Sequence, residues 1–556
     1  MTKSKKETGS YYTPKILSDF LISHIFTHYI HTHRISILEP SCGDGQFVDS
    51  LFNYLDLDQY QSINMTVCDI DKIELKKTVS LIPKKKEIKI QSIHDDFLNF
   101  FEKNEKKYSL IIGNPPYIRK KYMDETQILK CEKVHEEIKK YSPLIKSKGK
   151  INNIWTAFVE SAIMRLEDAG IICFVIPAEI MHVNYTKELR RLIQNEFDRV
   201  EIFAFNELIF EGIQQDVVAL IGVKGISNKE EHGVSFYQVD YLEDLKEPRF
   251  TELHSNIHRL ALDKWTNYIL SDEDLNFIEQ LKNQFHPIKK YCDKAQVGIV
   301  SAANDYFILR KSEIEQNKLN QIKKIIKPIL PKGSVLKDSL DFKKSDYKIL
   351  LNSNEKVSFI QFPNSPKKKL SQIEIDYINE GEKERENDSG ELHKRYKMTK
   401  RENWYHVPSV WLSEGFYIKR SHIFPKIVVN SANSLVTDSF YRLETNENSN
   451  IRNLAFSFYN TLTFVLAELE GRFYGGGVLE LTPNEFKNLS IPYSDAITDE
   501  QFENLDTMLR NNIPINEILD YTDRILLNNI DNNRLRNMWN KLVNRRIKKH
   551  IMNVEI

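Results

Sequence analysis

Short apolar runs rich in β-branched residues alternate with helical patterns through about the first 225 residues of the chain. Helical patterns such as Trp155–Leu166 and Tyr185–Gln194 separate several of the runs, and Gly170 is expected to end the first of these helices. Strands that alternate with helices predict a parallel or mostly parallel sheet with helices on both faces, an α/β doubly wound fold. The predicted strands are Ile35–Leu38, Met65–Cys68, Ile88–Ile90, Leu110–Ile112, Ile171–Ile176, Val200–Phe205 and Val217–Val223.

The βα rhythm is lost from about residue 255, where strand-like and helical pieces mix and the polar connections lengthen. We therefore predict two domains, residues 1–250 and residues 251–556, the second of mixed α/β structure. The segment Asp376–Asn403 is dense in charge and poor in large aliphatic residues, which predicts an exposed loop or a partly ordered linker.

Composition narrows the class of protein without defining it. The 556 residues include 78 basic and 78 acidic side chains, so nucleic-acid binding requires local basic clusters and not an overall positive charge. The chain has no apolar run long enough to span a bilayer and no signal peptide, which predicts a cytoplasmic protein without membrane contact. The five cysteines form no CxxC pair, so we expect no metal site.

The residues that follow the first three predicted strands suit a nucleoside ligand. Glu39-Pro40-Ser41-Cys42-Gly43-Asp44-Gly45 is a turn of small residues behind a carboxylate, although an ordinary glycine-rich turn explains it equally well. Asp69, before Ile70, can accept hydrogen bonds from ribose hydroxyls, and Asp96 can accept from an adenine amine that Phe97 covers. Each acid alone is explained as a solvated loop residue, but the occurrence of acids at three successive strand ends favours a nucleoside-binding site.

The fourth strand runs into Asn114-Pro115-Pro116-Tyr117. The two prolines stiffen the loop and lack N–H donors, so acceptor oxygens can grip an aromatic amine while Tyr117 stacks on its ring. The matching electrophile is a sulfonium methyl group held by the preceding turns. A merely rigid turn is the alternative.

This succession of motifs, preceded by Thr13-Pro14, resembles the gamma-class amino methyltransferases of restriction-modification systems over roughly residues 8–225. The resemblance implies S-adenosylmethionine as cofactor and a Rossmann-like methyltransferase sheet followed by a target-recognition domain. It also implies cofactor contacts from a set of residues along the motifs: Thr13, Glu39, Pro40, Cys42, Gly43, Gly45, Asp69, Ile70, Asp96, Phe97 and Phe174. Phe174 is equally explained as a buried strand residue.

The same resemblance implies that Asn114, Pro115, Pro116 and Tyr117 hold the target base. Phe210, in the stretch Phe210–Gln215, resembles the aromatic residue that stacks on an extruded base. If it does so, we expect its ring to be exposed in the absence of DNA; a core phenylalanine is the alternative.

Several basic positions are candidates for DNA contact, although a solvated loop or a charged terminal helix explains them as well. The segment around Lys394 interleaves basic and aromatic residues, and Arg534–Lys549 contains seven basic residues and no acidic one. The residues expected at DNA are Arg119, Lys120, Lys394, Arg395, Tyr396 and Arg472.

Together these features predict a site-specific methyltransferase that acts on N6 of a flipped-out adenine in duplex DNA. The alternatives are methylation of N4 of cytosine, methylation of a protein glutamine amide, and a non-catalytic DNA-binding specificity protein. The presence of a separately encoded restriction endonuclease as partner stays open.

Overall fold

The computed structural model describes residues 11–145, 151–207, 209–210, 216–248, 251–255, 265–336, 338–383, 391–474 and 477–547. The chain divides into two compact units, the first extending to Ser271 and the second covering Asp272–Ile547. None of the helices in these residues is long and apolar enough to cross a membrane.

The first unit contains one large sheet and seven α-helices among its described residues. Its helices are α1 (Lys15–His28), α2 (Gln46–Tyr54), α3 (Lys72–Leu81), α4 (Phe97–Lys103), α5 (Glu125–Tyr141), α6 (Trp155–Met164) and α7 (Lys187–Glu196). Its strands are β1 (Arg34–Glu39), β2 (Ser62–Asp69), β3 (Ile88–His94), β4 (Tyr108–Gly113), β5 (Leu166–Pro177), β6 (Arg199–Phe205), β7 (Val217–Val223), β8 (Gly233–Val239) and β9 (Thr251–Ser255).

The sheet has the strand order β3-β2-β1-β4-β5-β7-β6-β8-β9. Strands β1 to β5 pair in parallel. The central strands β1, β4 and β5 are mostly buried, as expected for parallel strands covered on both faces, whereas the edge strand β3 is largely exposed. Strand β7 runs antiparallel between β5 and β6, so the β6–β7 connection lies at the edge where the parallel strands end. The doubly wound fold is confirmed, and all seven predicted strands are present.

The order of the strands reverses at β1, which lies between β2 and β4. Ligands of open α/β sheets bind outside the carboxyl ends of the strands at such a switch point. The turns that follow β1, β2 and β4 therefore meet at the expected site.

The N-terminal helix α1 fixes the segment Tyr11–Pro14 near this edge. It is tied to α2 by the Lys15–Asp49 ion pair of 2.7 Å and by the hydrogen bond of 2.8 Å between the Ser18 and Ser50 hydroxyls.

The prediction for Gly170 is wrong. Helix α6 ends at Met164, and Gly170 lies inside β5. A Cβ added at Gly170 would meet Leu166 Cγ at 2.5 Å, so the glycine relieves crowding within an irregular part of the strand.

The second unit mixes short strands and helices. Its helices are α8 (Asp272–Gln284), α9 (Asn304–Phe307), α10 (Lys311–Gln316), α11 (Lys344–Asn352), α12 (Gln372–Gly381), α13 (Tyr396–Thr399), α14 (Ile451–Phe458), α15 (Thr461–Glu470), α16 (Pro483–Asn488), α17 (Asp499–Arg510), α18 (Ile515–Leu526) and α19 (Asn532–Ile547). Its strands are β10 (His286–Pro287), β11 (Cys292–Val297), β12 (Ile308–Leu309), β13 (Ile326–Leu330), β14 (Ser358–Ile360), β15 (Gly415–Ile418), β16 (Arg420–Ser421), β17 (Ile427–Val429), β18 (Leu435–Val436), β19 (Phe440–Thr445), β20 (Arg472–Tyr474), β21 (Val478–Glu480) and β22 (Ser490–Ile491). They form small sheets with the orders β10-β22, β11-β19-β15-β17, β12-β14-β13-β18 and β16-β21-β20.

The segment predicted as an exposed loop or a partly ordered linker, Asp376–Asn403, contains more ordered structure than a loop. Helix α12 buries Tyr377 and Ile378 and begins with a capping box between Ser371 and Glu374. Leu392 and Met398 are also buried, so a few apolar residues suffice to order a charged segment, whereas residues 384–390 lie outside the described ones.

Candidate active site

The turn after β1 is built on two glycines in the left-handed region. Gly43 has φ +49° and Gly45 has φ +85°. A Cβ at Gly45 would lie 2.7 Å from Leu81 Cδ1 and 2.8 Å from Thr78 Oγ1, so helix α3 packs directly against this turn. Thr78 also donates a 3.0 Å hydrogen bond to the Gly43 carbonyl, which fixes the turn, and Pro40 and Cys42 are buried beside it.

Glu39 places a buried carboxyl group beside this turn, close to two other acidic side chains. Its side chain is 2% exposed, and no described residue donates a hydrogen bond to its Oε2 atom. Burial raises the pKa of the Glu39 carboxyl well above its usual range, and the charges of Asp69 and Asp44 raise it further. A buried acceptor beside other carboxylates suits a cationic ligand group, such as the ammonium or sulfonium of S-adenosylmethionine.

Asp69, at the end of β2, holds the turn after β1 in place. Its carboxylate accepts from the Gly43 N–H at 2.7 Å and from the Asp71 N–H at 2.8 Å. Burial raises the pKa of Asp69 despite these two donors. Neighbouring Ile70 is 72% exposed, which leaves an apolar side chain available beside a carboxylate, as a nucleoside requires.

Asp96 and Phe97 follow β3 and begin α4. Asp96 caps the helix by accepting from the Leu98 N–H at 2.9 Å, and its other oxygen pairs with Lys130 at 2.8 Å. The Phe97 ring is buried against Phe158, with centroids 5.0 Å apart. Both residues therefore have structural partners in addition to the ligand role predicted for them.

The Asn114-Pro115-Pro116-Tyr117 loop follows β4 and touches the turn after β1. The Ser41 hydroxyl donates to the Asn114 backbone carbonyl at 3.2 Å. A Cβ added at Gly113 would lie 3.5 Å from Pro40 Cδ, 3.7 Å from Glu39 Cγ and 4.0 Å from Phe174 Cε1. The two predicted motifs are therefore in contact, and Phe174, fully buried on β5, lies beside Gly113.

The Asn114 side chain has two partners. Its Oδ1 atom accepts from the Tyr117 hydroxyl at 2.6 Å, and its Nδ2 group donates to the Tyr11 carbonyl at 2.8 Å. The Tyr117 hydroxyl also lies 2.9 Å from the Val175 carbonyl.

Phe210 belongs to an aromatic cluster with Tyr11 and Tyr117. Its ring stacks on Tyr11 at a centroid distance of 5.5 Å and lies 6.3 Å from Tyr117. Phe210 is only 5% exposed, so the expectation of an exposed ring in the absence of DNA is wrong. The stretch 211–215 lies outside the described residues.

Tyr11 is the site residue that sequence reasoning missed. It lies two positions before Thr13, which is buried, and its ring contacts Tyr117 at 5.4 Å as well as Phe210. The available signal was its place within the Thr13-Pro14 motif, but its partners are about 100 and 200 residues away in the chain.

The positions predicted to contact DNA differ in their exposure and in their intramolecular partners. Tyr396 is 76% exposed, with Lys400 over its ring at 5.4 Å, and exposed Lys394 pairs with Glu391 at 2.8 Å. Arg395 donates to the Ala302 carbonyl at 2.9 Å, and Arg472 pairs with Glu485 at 2.9 Å. In the first unit, Arg119 and Lys120 are exposed, and Arg119 lies 3.4 Å from Glu179.

The basic C-terminal segment is largely neutralised within its own unit, contrary to its interpretation as a DNA contact. Arg534 pairs with Asp274 at 2.8 Å, Arg536 with Asp523 at 3.0 Å, and fully buried Arg546 with Glu468 at 2.6 Å. Burial lowers the pKa of Arg545 to about 10. Helix α19 is therefore a packed terminal helix, and Lys548 and Lys549 lie outside the described residues.

No group of three His, Cys, Asp or Glu side chains among the described residues is arranged to hold a metal ion.

The sheet order, the buried carboxyl of Glu39 and the adjoining asparagine loop define the class, an S-adenosylmethionine-dependent methyltransferase. Residues 47–210 match the family described as Eco57I restriction-modification methylase, and residues 262–527 match the type II methyltransferase M.Eco57I C-terminal domain. The chain is thus a DNA methyltransferase of the type II restriction-modification methylase family.

Relatives of the chain are consistent with this family. The chain is 25% identical to type II methyltransferase M.AccI of Acinetobacter calcoaceticus, over 94% of this chain and 93% of that relative. It is 26% identical to type II methyltransferase M.HindII of Haemophilus influenzae (strain ATCC 51907 / DSM 11121 / KW20 / Rd), over 55% and 56% of the two chains.

The fold is similar to that of DrdV, whose structure was determined by cryo-electron microscopy as a DNA complex. The TM-score is 0.52 at 14% identity, over 91% of this chain and 57% of the DrdV chain. The chain therefore spans little more than half of DrdV, and the likeness concerns the fold alone.

Proposed function

We propose that the protein methylates N6 of an adenine within a specific duplex DNA sequence. The observation that carries the proposal is the contact between the Asn114-Pro115-Pro116-Tyr117 loop and the turn that holds Glu39, made through Ser41 and Gly113. It brings a group that can grip an aromatic amine beside a buried carboxylate suited to a cationic cofactor.

The roles of the chain's own groups follow from this arrangement. S-adenosylmethionine, when bound, supplies an electrophilic methyl group. Asn114 Oδ1 and the Pro115 carbonyl accept the two amine hydrogens, which orients the nitrogen lone pair toward that methyl group. Glu39 and the turn through Gly45 hold the methionine end, Asp69 holds the ribose, and Asp96 and Phe97 hold the cofactor's adenine. Thr13 and Phe174 complete the cofactor site.

An adenine inside a duplex cannot reach this edge, so the base must be extruded. We infer that Tyr117 and Phe210 stack on the extruded base. Stacking on an aromatic side chain contributes about 1–3 kcal/mol per base, which is comparable with the cost of unstacking it.

We assign target recognition to the second unit and methyl transfer to the first. Exposed Tyr396 and Lys394 in the second unit, and Arg119 and Lys120 in the first, support contact with phosphates and bases. The proposal places the enzyme in the cytoplasm with the DNA, and it is compatible with a separate restriction endonuclease as partner.

The test is nucleoside analysis of the product. Genomic DNA lacking methylation is incubated with the protein and S-adenosylmethionine carrying a labelled methyl group, digested to nucleosides and examined by mass spectrometry. We expect labelled N6-methyl-2′-deoxyadenosine from the wild type and none from Asn114→Ala. Asn228→Ala, an exposed asparagine of the same unit, should leave the product unchanged.

Cofactor affinity measured by calorimetry completes the test. Asn114→Ala should bind S-adenosylmethionine nearly as the wild type does, because Asn114 acts on the target base. Labelled N4-methyl-2′-deoxycytidine would contradict the assignment to adenine, and cofactor binding without any methylated nucleoside would contradict catalysis.

A further inference from the structure

The two rings proposed to stack on the target base are covered in the base-free protein. Tyr117 and Phe210 are each 5% exposed. Their centroids lie 6.3 Å apart with 54° between the ring planes. A base stacked between two rings needs parallel faces about 7 Å apart, which is two van der Waals contacts of about 3.5 Å. The pair must therefore rearrange before a base can enter.

Tyr11 makes contacts with both of these rings. It stacks on Phe210 with centroids 5.5 Å apart and 24° between the planes, and it lies 5.4 Å from Tyr117 at 32°. Its own side chain is only half-buried, and it belongs to the segment that precedes α1. Of the three rings, Tyr11 is thus the one that already reaches the surface.

The backbone of Tyr11 engages the amine-gripping residue at the same time. Asn114 Nδ2 donates to the Tyr11 carbonyl at 2.8 Å, while Asn114 Oδ1 accepts from the Tyr117 hydroxyl at 2.6 Å. Both ends of the amide therefore have intramolecular partners. One residue contacts all three members of the proposed base site, Asn114, Tyr117 and Phe210.

We propose that Tyr11 is the gate of the target-base site: its ring closes the aromatic pair before DNA binds and is displaced when the base enters. The inference rests on the proposed function, because it assumes that a base is extruded into this site. Tyr11 acts here as a positioning residue, since its contacts compete with the base and do not touch the reacting atoms. Opening must separate the Tyr11 ring from Phe210 and Tyr117, and these two separations together should reduce base capture about two- to tenfold.

The experiment compares Tyr11→Ala and Tyr11→Phe in the full chain. The probe is a duplex that carries 2-aminopurine at the methylated adenine, whose fluorescence rises when the base leaves the stack. We expect Tyr11→Ala to bind this duplex about two- to tenfold more tightly than the wild type, with a larger fluorescence rise at saturation. Tyr11→Phe keeps the ring and should behave as the wild type.

Controls separate the gate from general effects. Tyr241→Ala, which removes a well-exposed ring from the same unit, should change neither affinity nor fluorescence. Tyr11→Leu keeps apolar bulk without a flat face, so it should fall between wild type and Tyr11→Ala. It provides the answer if Tyr11→Ala melts below the assay temperature.

The outcomes separate this inference from the proposed function. Unchanged or weaker binding by both Tyr11→Ala and Tyr11→Leu, with a wild type that methylates adenine and raises the fluorescence, would overturn the gate alone. A wild type that produces N6-methyl-2′-deoxyadenosine without any fluorescence rise would overturn the gate together with base extrusion. Absence of N6-methyl-2′-deoxyadenosine would overturn the proposed function itself.

Discussion

The Tyr117 hydroxyl donates a hydrogen bond of 2.6 Å to Oδ1 of Asn114, three residues earlier in the same loop. Under the proposed function this oxygen is also the acceptor for the target amine. The loop therefore satisfies its own acceptor in the base-free protein, and the amine exchanges one hydrogen bond for another. Burial raises the pKa of Tyr117 well above its usual range, so the hydroxyl stays a donor at every pH at which the protein is handled.

Removing only this hydroxyl separates hydrogen bonding from stacking. Tyr117→Phe keeps the ring and should retain most methyl transfer while losing about 1 kcal/mol of stability, because Asn114 Oδ1 and the Val175 carbonyl lose the one donor that they share. Tyr117→Ala should lower the free energy of unfolding by about 3–5 kcal/mol and should abolish most of the methyl transfer. Single-turnover kinetics and denaturant unfolding measure both. Tyr108→Phe, a buried tyrosine at the other end of β4, should leave transfer unchanged.

Glu39→Gln tests the buried carboxyl. Folding raises the pKa of Glu39, so the folded chain binds this proton more tightly than the unfolded chain does. The contribution of Glu39 to stability therefore falls as pH rises above about 4.3, the ordinary pKa of a glutamate. Without cofactor, the variant should melt at a higher temperature than the wild type at pH 7, and this gain should shrink toward pH 5.

The same variant should bind S-adenosylmethionine more weakly, because it lacks the negative charge that a cationic group requires. Calorimetry checks this loss. Glu102→Gln removes an exposed glutamate of the same unit and should change neither property between pH 6 and 8. Undiminished cofactor affinity in Glu39→Gln would exclude this carboxyl from the cofactor site.

Two glycines with the same backbone conformation provide a matched pair. Gly45 has φ +85° and Gly225 has φ +83°, and a Cβ at either would meet atoms closer than 3.0 Å. Gly45→Ala and Gly225→Ala should each lower stability by about 2 kcal/mol. Only Gly45→Ala should also weaken cofactor binding, which calorimetry at a temperature well below both melting transitions would detect. Equal cofactor affinities of Gly45→Ala and Gly225→Ala would show that the turn at Gly45 does not contribute to cofactor binding.

Phe210 is expected to affect stability and base capture together, since its ring is buried against Tyr11. Phe210→Ala should cost about 3 kcal/mol of stability and should also reduce the 2-aminopurine signal. Phe210→Trp keeps a flat face and should preserve more of that signal. A stability loss with an unchanged signal would assign Phe210 to the core alone.

The second unit can be tested through the salt dependence of DNA binding. Lys394→Ala should reduce the slope of log affinity against log salt by about one, and Tyr396→Ala should weaken binding with the melting temperature unchanged. Lys282→Ala, which breaks the ion pair of 3.1 Å with Glu470, should leave the slope as it is. An unchanged slope in Lys394→Ala together with an unchanged affinity in Tyr396→Ala would place the DNA contacts elsewhere.

The local sequence pattern predicted the strands of the first unit well because each of them contains a short apolar or β-branched run. All seven predicted runs, from Ile35–Leu38 to Val217–Val223, lie in strands, and the turn at Glu39 and the loop at Asn114 meet as a shared sheet edge requires. By contrast, the burial of Phe210 depends on Tyr11, almost 200 residues away, and local pattern carries no information about such a partner.

The environment of charged segments was also predicted less well, because their partners lie far away in the sequence. The partners that neutralise Arg534 and Arg546 are Asp274 and Glu468, both distant in the chain. Helix α12, by contrast, has a local sequence signal. Its capping box of Ser371 and Glu374 predicts the start of a helix in spite of the high charge density that follows.

The reversed direction of β7 has a consequence for how this enzyme can change. A parallel β7 would require a crossover of a dozen or more residues to return to the opposite edge of the sheet. The antiparallel β7 starts at the edge where β6 stops, so the connection from Phe205 to Val217 begins and ends at the edge that carries Asn114. Under the proposed function, insertions or replacements between these two residues alter the surroundings of the target base and leave the pairing of β6 with β7 in place. The β6–β7 connection is therefore a position at which sequence and length can vary during evolution next to the proposed active site, while the sheet itself keeps its structure.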